Sequence, residues 1–255
     1  MTNGLSPNEL DRYQKHLQLP EVGVSGQQRL KETSVMVVGV GGLGSPAALY
    51  LAAAGVGQLG LVDGDRVALS NLQRQVLHSV QTLGETKTSS GAKMLQNLNP
   101  GIEVKQYTQR LTGDYAAALI KAYDIVLDCT DNYTTRLVIN RVCVVQQKPM
   151  VHGAVFKFEG QVSVFCSPAG PCYACLYPEK LSEAVIPDPS TNGLIATAPG
   201  VIGVLQANEV IKLLLGIGKP LIGRLLLVDL LVMQFKEIKI NRNPQCPVCG
   251  NESTM

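Results

Sequence analysis

The segment SVMVVGVGGLGSPAALYLAAAG, from Ser34 to Gly55, restricts the fold more than any other feature of the chain. Its first residues are almost unbroken apolar and β-branched, which reads as a strand buried on both faces. Glycines 39, 41 and 44 then spell G-x-G-x-x-G ahead of an alanine- and leucine-rich helix, with Pro46 suited to its first turn and Gly55 to its C-terminal cap. Without side chains at Gly39, Gly41, Gly42 and Gly44 the backbone can approach a phosphate, whose charge the free N–H groups and the positive end of the helix stabilise. Asp63 closes the next apolar run, QLGLVD, nineteen residues after Gly44, where a carboxylate can accept bonds from ribose hydroxyls. Glycines that serve only a tight strand-to-helix turn are the alternative reading.

The same alternation continues downstream. KTSSGAKMLQNLNP is helix-like and stops at Asn99-Pro100, IEVKQYT reads as a strand, DYAAALIKA as a helix and DIVLDCTDN as a buried strand. A helix from about Tyr133 to Gln147 leads to a further strand at Met150. This order predicts an α/β fold, a Rossmann-like, mostly parallel sheet with helices on both faces. After His152 the strand-like runs FEGQVSVFC and GRLLLVDLLVMQFKEIKI suggest antiparallel strands added to that sheet, and residues 166 to 198 look like a long crossing loop. We expect one domain over 1–255. It comprises a helical arm at 1–32, in two pieces broken around Pro20 and Gly23, a nucleotide-binding core at 33–153, and an antiparallel extension with the crossing loop and a zinc knuckle at 154–255.

Charge narrows the choice of ligand. With 22 basic and 20 acidic residues interspersed, the formal net charge is +2, too small a field to favour nucleic acid or an anionic membrane. The apolar stretch PGVIGVLQANEVIKLLLG is interrupted by Gln206, Asn208, Glu209 and Lys212, so it reads as a core or interface helix and not a membrane span. The N-terminus has no apolar signal region, and a cytoplasmic protein is expected.

Four of the seven cysteines form two C-x-x-C pairs, Cys172 with Cys175 and Cys246 with Cys249. Four thiolates are the complement that a closed, structural Zn²⁺ site takes; buried free thiols or a redox pair are the alternatives. Cys129, Cys143 and Cys166 read as buried apolar fillers. His16, His78 and His152 have no partner at ligand spacing and are expected to be satisfied or exposed.

In an open parallel sheet ligands sit beyond the carboxyl ends of the strands, so Gly39–Gly44, Asp63–Asp65 and Asp128–Asn132 should converge. Two nearby stretches add cations, LSNLQRQVLH with Arg74 and GETK with Lys87. Hydride transfer from a nicotinamide does not require them, whereas attack on phosphorus builds oxygen charge that Arg, Lys and Mg²⁺ stabilise. Asp131, just past IVLD, is the candidate Mg²⁺ ligand. Each of the three taken singly is more often a solvated charge or a cap.

The chain also resembles the MoeB/ThiF/HesA family, relatives of ubiquitin-activating enzymes, over essentially its whole length. The resemblance rests on RYQKHLQLPEVG-x-x-GQ, VGVGGLGSPAALYLAAAGVG, LVDGDRVALSNLQRQVLH, GETK, DIVLDCTDNYTTR, FEGQVSVF, PCYACL, PGVIGVLQANEVIKLLLG and CPVCG. It implies ATP-dependent adenylation of the terminal glycine carboxylate of a small β-grasp, ubiquitin-like sulfur-carrier protein ending in Gly-Gly. In that scheme Asp63 holds the ribose, Asn71 and Arg74 contact phosphates, Lys87 neutralises them, Asp131 holds Mg²⁺, and the backbone at Gly41 and Gly42 approaches the nucleotide. It further implies a homodimer in which a basic residue of the arm reaches the partner's nucleotide. Here Lys15 stands where the family usually has arginine, keeping the charge but not the planar fork.

In the crossing loop, PDPSTNG places Pro189 near the position where some members carry a cysteine, which excludes a covalent thioester there. That absence tilts the expectation from thiamine towards molybdopterin biosynthesis, with the sulfur donor a separate protein. An NAD-dependent oxidoreductase, resting on the glycine loop and Asp63 alone, and a non-catalytic relative that binds a ubiquitin-like partner are the competing readings.

Overall fold

The computed structural model describes residues 4–178 and 193–250. Pro189 lies outside them. In chain order the elements are α1 (Pro7–Arg12), α2 (Gln14–Leu17), α3 (Gly23–Lys31), β1 (Ser34–Val38), α4 (Gly44–Ala54), β2 (Gln58–Val62), α5 (Lys87–Leu98), β3 (Glu103–Tyr107), α6 (Gly113–Ile120) and β4 (Ile125–Asp128). They continue with α7 (Tyr133–Val145), β5 (Met150–Phe156), β6 (Glu159–Phe165), α8 (Tyr173–Leu176), α9 (Thr197–Leu215), β7 (Arg224–Asp229) and β8 (Gln234–Lys239).

All eight strands form one sheet in the order β3-β2-β1-β4-β5-β6-β7-β8. Pairing is parallel from β3 to β5 and antiparallel from β5 to β8. The sequence leads one to expect both halves. The division expected at residue 153 falls inside β5, which pairs parallel with β4 on one side and antiparallel with β6 on the other. The arm differs from expectation: it has three helical pieces, the first two separated at Tyr13 and the third starting at Gly23. Tyr13 breaks the helix because its ring is buried and its hydroxyl accepts a bond from Asn99 Nδ2 at 2.8 Å.

One face of the sheet carries a core built from Val35, Val37, Leu59, Leu61, Leu127 and Val151 against α4, α5 and α9; Met36, Val126 and Met150 point to the other face, against α6 and α7. This alternation follows from the two-residue period of a strand whose faces are both covered. Helix α9 is long and apolar enough to cross a membrane, yet Ile202, Gln206, Val210 and Leu214 are buried along one stripe and its buried polar residues Gln206 and Glu209 are partnered. Gln206 donates to the Asp128 carbonyl at 2.8 Å and Glu209 accepts from the Leu221 amide at 2.8 Å. It is a core helix of the sheet.

Candidate active site

The register aligns the strand ends that matter. Val38 pairs with Val62 on one side and with Asp128 on the other, and Asp128 pairs with His152. Since β2 lies on one flank of β1 and β4 on the other, the strand order switches here, and beyond the carboxyl ends at such a switch point parallel α/β sheets hold their ligands. The glycine loop, the segment from Asp63 to Asp65 and the turn from Cys129 to Asn132 leave the sheet side by side.

The four glycines do different work. Gly39 has φ +90°, and a Cβ there would stand 2.6 Å from the Cys129 carbonyl oxygen. A Cβ at Gly44 would collide with the carbonyl of Gly39. These two are bare so that the loop can fold onto β4 and α4 can start against the loop, which no phosphate requires. Gly41 is the open position, its nearest neighbour the Gln75 side chain 3.5 Å from a Cβ; Gly42 faces Pro199 and Arg74. The loop thus leaves room for close approach of a ligand at Gly41, while at Gly42 Pro199 stands 3.1 Å from a Cβ, ahead of the first turn of α4.

Asp63 is largely occupied with the loop itself. Its Oδ2 accepts the Val40 amide and its Oδ1 the Asp65 amide, each at 2.8 Å. Burial raises its pKa, against the opposing pull of Lys87 and these two amides. A carboxylate has about four lone-pair sites, so each oxygen can take a further bond. Lys87 opens α5, whose N-cap is Thr86, and is 6% exposed although charged. Its Nζ sits 2.9 Å from Asp65 Oδ2 and 3.8 Å from Asp63 Oδ2. The Lys87 hydrogen bond, with Arg110 farther out, holds Asp65 below the usual carboxylate range.

Asn71 ends a short 3-10 turn, Leu69–Asn71, and Arg74 follows, its Nη1 donating to the Ser70 carbonyl at 3.2 Å and its stem against Gly42. Asp131 is exposed in the turn before α7, whose N-cap Asn132 accepts the Thr135 amide at 2.9 Å. Among the described residues no ion pair engages Asp131, and an open carboxylate with room for water suits Mg²⁺, which is usually held through one or two carboxylates and keeps several waters. Lys15 is exposed on α2, well away from its own glycine loop. Its chain neighbours are anchored at the opposite end of α4, Tyr13 at Gly55 and His16 through Gln27 at Ala54, about 16 Å along an eleven-residue helix.

Several residues of this crevice were not singled out from sequence. His78 is buried with Nε2 donating to the Val40 carbonyl at 2.9 Å and Nδ1 beside Ser90 Oγ at 2.9 Å, so it braces the glycine loop from below. Gln75 is buried beside Gly41, and its Oε1 has no hydrogen-bond partner among the described residues. Asp128 is fully buried and bonded to His152. The available signal was an acid inside the apolar run IVLD, since a carboxylate on a buried strand must find a partner.

The four paired cysteines meet as expected from their spacing. Their sulfurs lie within 4.8 Å of one another, with Cys172 to Cys246 at 3.6 Å, Cys175 to Cys249 at 3.4 Å and Cys172 to Cys175 at 3.9 Å. A tetrahedral Zn²⁺ with Zn–S bonds of about 2.3 Å separates its sulfurs by about 3.8 Å, so the set fits the ion. A hydrogen bond from Cys172 favours the thiolate at Cys175. Cys129 and Cys143 are buried, and burial raises both thiols; Cys166 departs from expectation, being only half-buried.

Comparison with known proteins agrees with this architecture. The ThiF family model matches residues 13–248. The sulfur carrier protein adenylyltransferase of Thermus thermophilus is 48% identical over 251 residues, covering 96% of this chain and 93% of that one. The SAMP-activating enzyme E1 of Haloferax volcanii is 45% identical over 250 residues, 98% and 92% of the two chains. The adenylyltransferase and sulfurtransferase MOCS3 of Mus musculus is 45% identical, but this chain spans only 55% of its length. Among solved structures, E. coli MccB with ATP has a TM-score of 0.80 at 25% identity, over 94% of this chain and 75% of that one. With the sheet order, the glycine loop and the cysteine knuckle in place, the chain belongs to the ThiF family.

Proposed function

We propose that this protein is an ATP-dependent adenylyltransferase that activates the C-terminal glycine carboxylate of a small β-grasp, ubiquitin-like sulfur-carrier protein. Molybdopterin biosynthesis is the preferred setting and thiamine biosynthesis the second. One observation carries the reading: a buried ammonium, Lys87, stands between the carboxylates of Asp65 and Asp63, and Asp63 in turn holds the glycine loop through the Val40 amide. A phosphate chain supplies negative charge for such a cation to offset, whereas hydride transfer at a nicotinamide ring does not require one. The relatives named adenylyltransferases support the same choice over an oxidoreductase.

In this scheme the carrier's carboxylate oxygen attacks the α-phosphorus of ATP, the bond to the bridging oxygen breaks, and pyrophosphate leaves with that electron pair. The amides of Gly41 and Gly42 and the start of α4 hold the phosphates. Asn71 and Arg74 bind phosphate oxygens, Lys87 offsets the growing charge, and Asp63 takes the ribose hydroxyls. Bound Mg²⁺ supplies further charge neutralisation, and Asp131 is the residue that holds it.

Lys15 sits too far from its own loop to help, which supports a homodimer in which it reaches the partner's nucleotide. Zn²⁺ at Cys172, Cys175, Cys246 and Cys249 ties the start of the crossing loop to the C-terminal segment. The sulfur that displaces AMP comes from a separate donor protein, and the setting is the cytoplasm.

The test is ATP–pyrophosphate exchange with Mg²⁺ and a carrier ending in Gly-Gly. The reading requires exchange that depends on the carrier and falls in Asp131→Ala. Carrier binding without exchange would favour a non-catalytic relative, and tight NAD binding without any response to ATP an oxidoreductase.

A further inference from the structure

Between the sheet and the cysteine knuckle lies a polar chain that the adenylation scheme does not use. His152, the third residue of β5, is fully buried, and its Nδ1 donates to Asp128 Oδ2 at 2.7 Å. Its Nε2 stands 3.4 Å from Gln161 Nε2, which can donate to it, and Gln161 is in turn paired with the Tyr177 hydroxyl at 2.7 Å. The ring is packed edge-on against Tyr173 at 5.1 Å and tilted against Phe165 at 5.9 Å. Both nitrogens are thus satisfied by one tautomer of a neutral imidazole, held from three sides.

The other oxygen of Asp128 is committed to the turn after β4. Oδ1 accepts the Thr130 amide at 3.1 Å and the Thr130 hydroxyl at 2.7 Å. The Asp128 carbonyl is held by Gln206, and the Thr130 carbonyl by Arg136. Every polar handle on residues 128 and 130 is therefore fixed from within, while Asp131, the next residue, is exposed. A carboxylate with both oxygens committed acts as a rigid clasp, and its orientation depends on the donor behind it.

We infer that His152 is a positioning residue for divalent-cation binding: through Asp128 it locks the turn that presents Asp131 to the metal of a metal–nucleotide complex. This rests on the adenylation reading for the role of Asp131. Removing the His152 donor leaves Asp128 Oδ2 with Arg136 Nε at 3.8 Å and no hydrogen bond among the described residues, so Oδ1 alone holds the turn; this loosens the Thr130 turn and weakens metal affinity without touching the phosphate-binding groups.

The test compares wild type with His152→Phe, which keeps a ring against Tyr173 but no donor, and with His152→Asn, whose amide can replace Nδ1–H. Mn²⁺ binding in the presence of a non-hydrolysable ATP analogue is read by electron paramagnetic resonance, and protection of the segment around Thr130 by hydrogen exchange in the free protein. We expect about 10-fold weaker Mn²⁺ binding and lost protection in His152→Phe. His152→Asn should recover both, and zinc content and metal-free nucleotide affinity should stay at wild-type values. Wild-type Mn²⁺ affinity and protection in His152→Phe would overturn the inference. If that variant does not fold, Thr130→Val, which removes the hydroxyl half of the clasp, decides: weakened Mn²⁺ binding supports the inference and unchanged binding overturns it. A wild type whose Mn²⁺ binding is indifferent to Asp131→Ala would instead sink the assignment of Asp131, and the inference with it.

Discussion

Lys87 Nζ is bonded to Asp65 Oδ2 at 2.9 Å, so the cation best placed to meet a phosphate is already paired with a carboxylate on the rim of its own site. Asp65 is about half exposed and Lys87 is buried, which makes the pair asymmetric. The carboxylate can turn out to water, but the ammonium cannot leave. Lys87 is thereby kept aimed along the rim of the site.

Replacing Lys87 by alanine should lower carrier-dependent exchange by about 100- to 1000-fold, the usual cost of deleting one preorganised charge stabiliser. It also leaves Asp63 and Asp65 with only the exposed Arg110, 3.7 Å from Asp65, as a cation among the described residues. Asp65→Asn, by contrast, should change the rate little and the apparent ATP affinity upward, because Lys87 no longer has a competing partner. Steady-state exchange at varied ATP separates the two effects.

The glycine loop gives a contrast within one motif. Gly44→Ala and Gly39→Ala should destabilise the fold by at least about 1–3 kcal/mol, since each methyl meets a backbone carbonyl that cannot move aside. Gly41→Ala should unfold like wild type in urea yet bind ATP poorly. Equal stability losses at all three positions would contradict this division of labour.

Lys15 permits a complementation test. Lys15→Ala and Asp131→Ala should each be nearly inactive alone. Mixed after reversible dissociation, they should regain activity, because a mixed dimer contains one site with both residues. Continued inactivity of a mixture shown to contain mixed dimers would rule out a finger in trans.

Cys175→Ser or Cys249→Ser should lose bound zinc and lower the thermal midpoint, because four converging thiolates need their ion to coexist. Limited proteolysis should then cut first near α8 and the C-terminal segment, while the β1–β4 half stays protected. Zinc content and fragment mapping check this.

Stability should fall in mild acid. Burial lowers the pKa of both His78 and His152, the latter against the upward pull of Asp128. A histidine with a depressed folded pKa gives its full contribution above its ordinary value of about 6.5. As pH drops below that, the unfolded chain takes up protons that the folded one refuses, so stability declines until the folded pKa is reached. Asp128 adds a second loss at lower pH. Burial alone would raise it, but His152, Arg136 and Thr130 hold it below the usual carboxylate range, and this support disappears once it protonates. Urea midpoints measured from pH 7.5 to 5 should decline in wild type, and less steeply in His78→Asn.

The sequence by itself determined the strand–glycine–helix start, the parallel run of strands, the antiparallel additions and the cysteine knuckle. Each of these is written in local periodicity, turn residues or ligand spacing, which depend on neighbours along the chain. Only the tertiary structure decided that Gly39 and Gly44 serve packing while Gly41 lies open, that Lys87 is held by Asp65, and that Lys15 faces away from its own loop. It also decided that His152, unremarkable in a list of three histidines, stands directly behind Asp128. Those facts depend on which strand ends are level and which side chains meet across the sheet. Burial then turns such meetings into obligations, because a charge withdrawn from water must find its partner wherever the fold has put one.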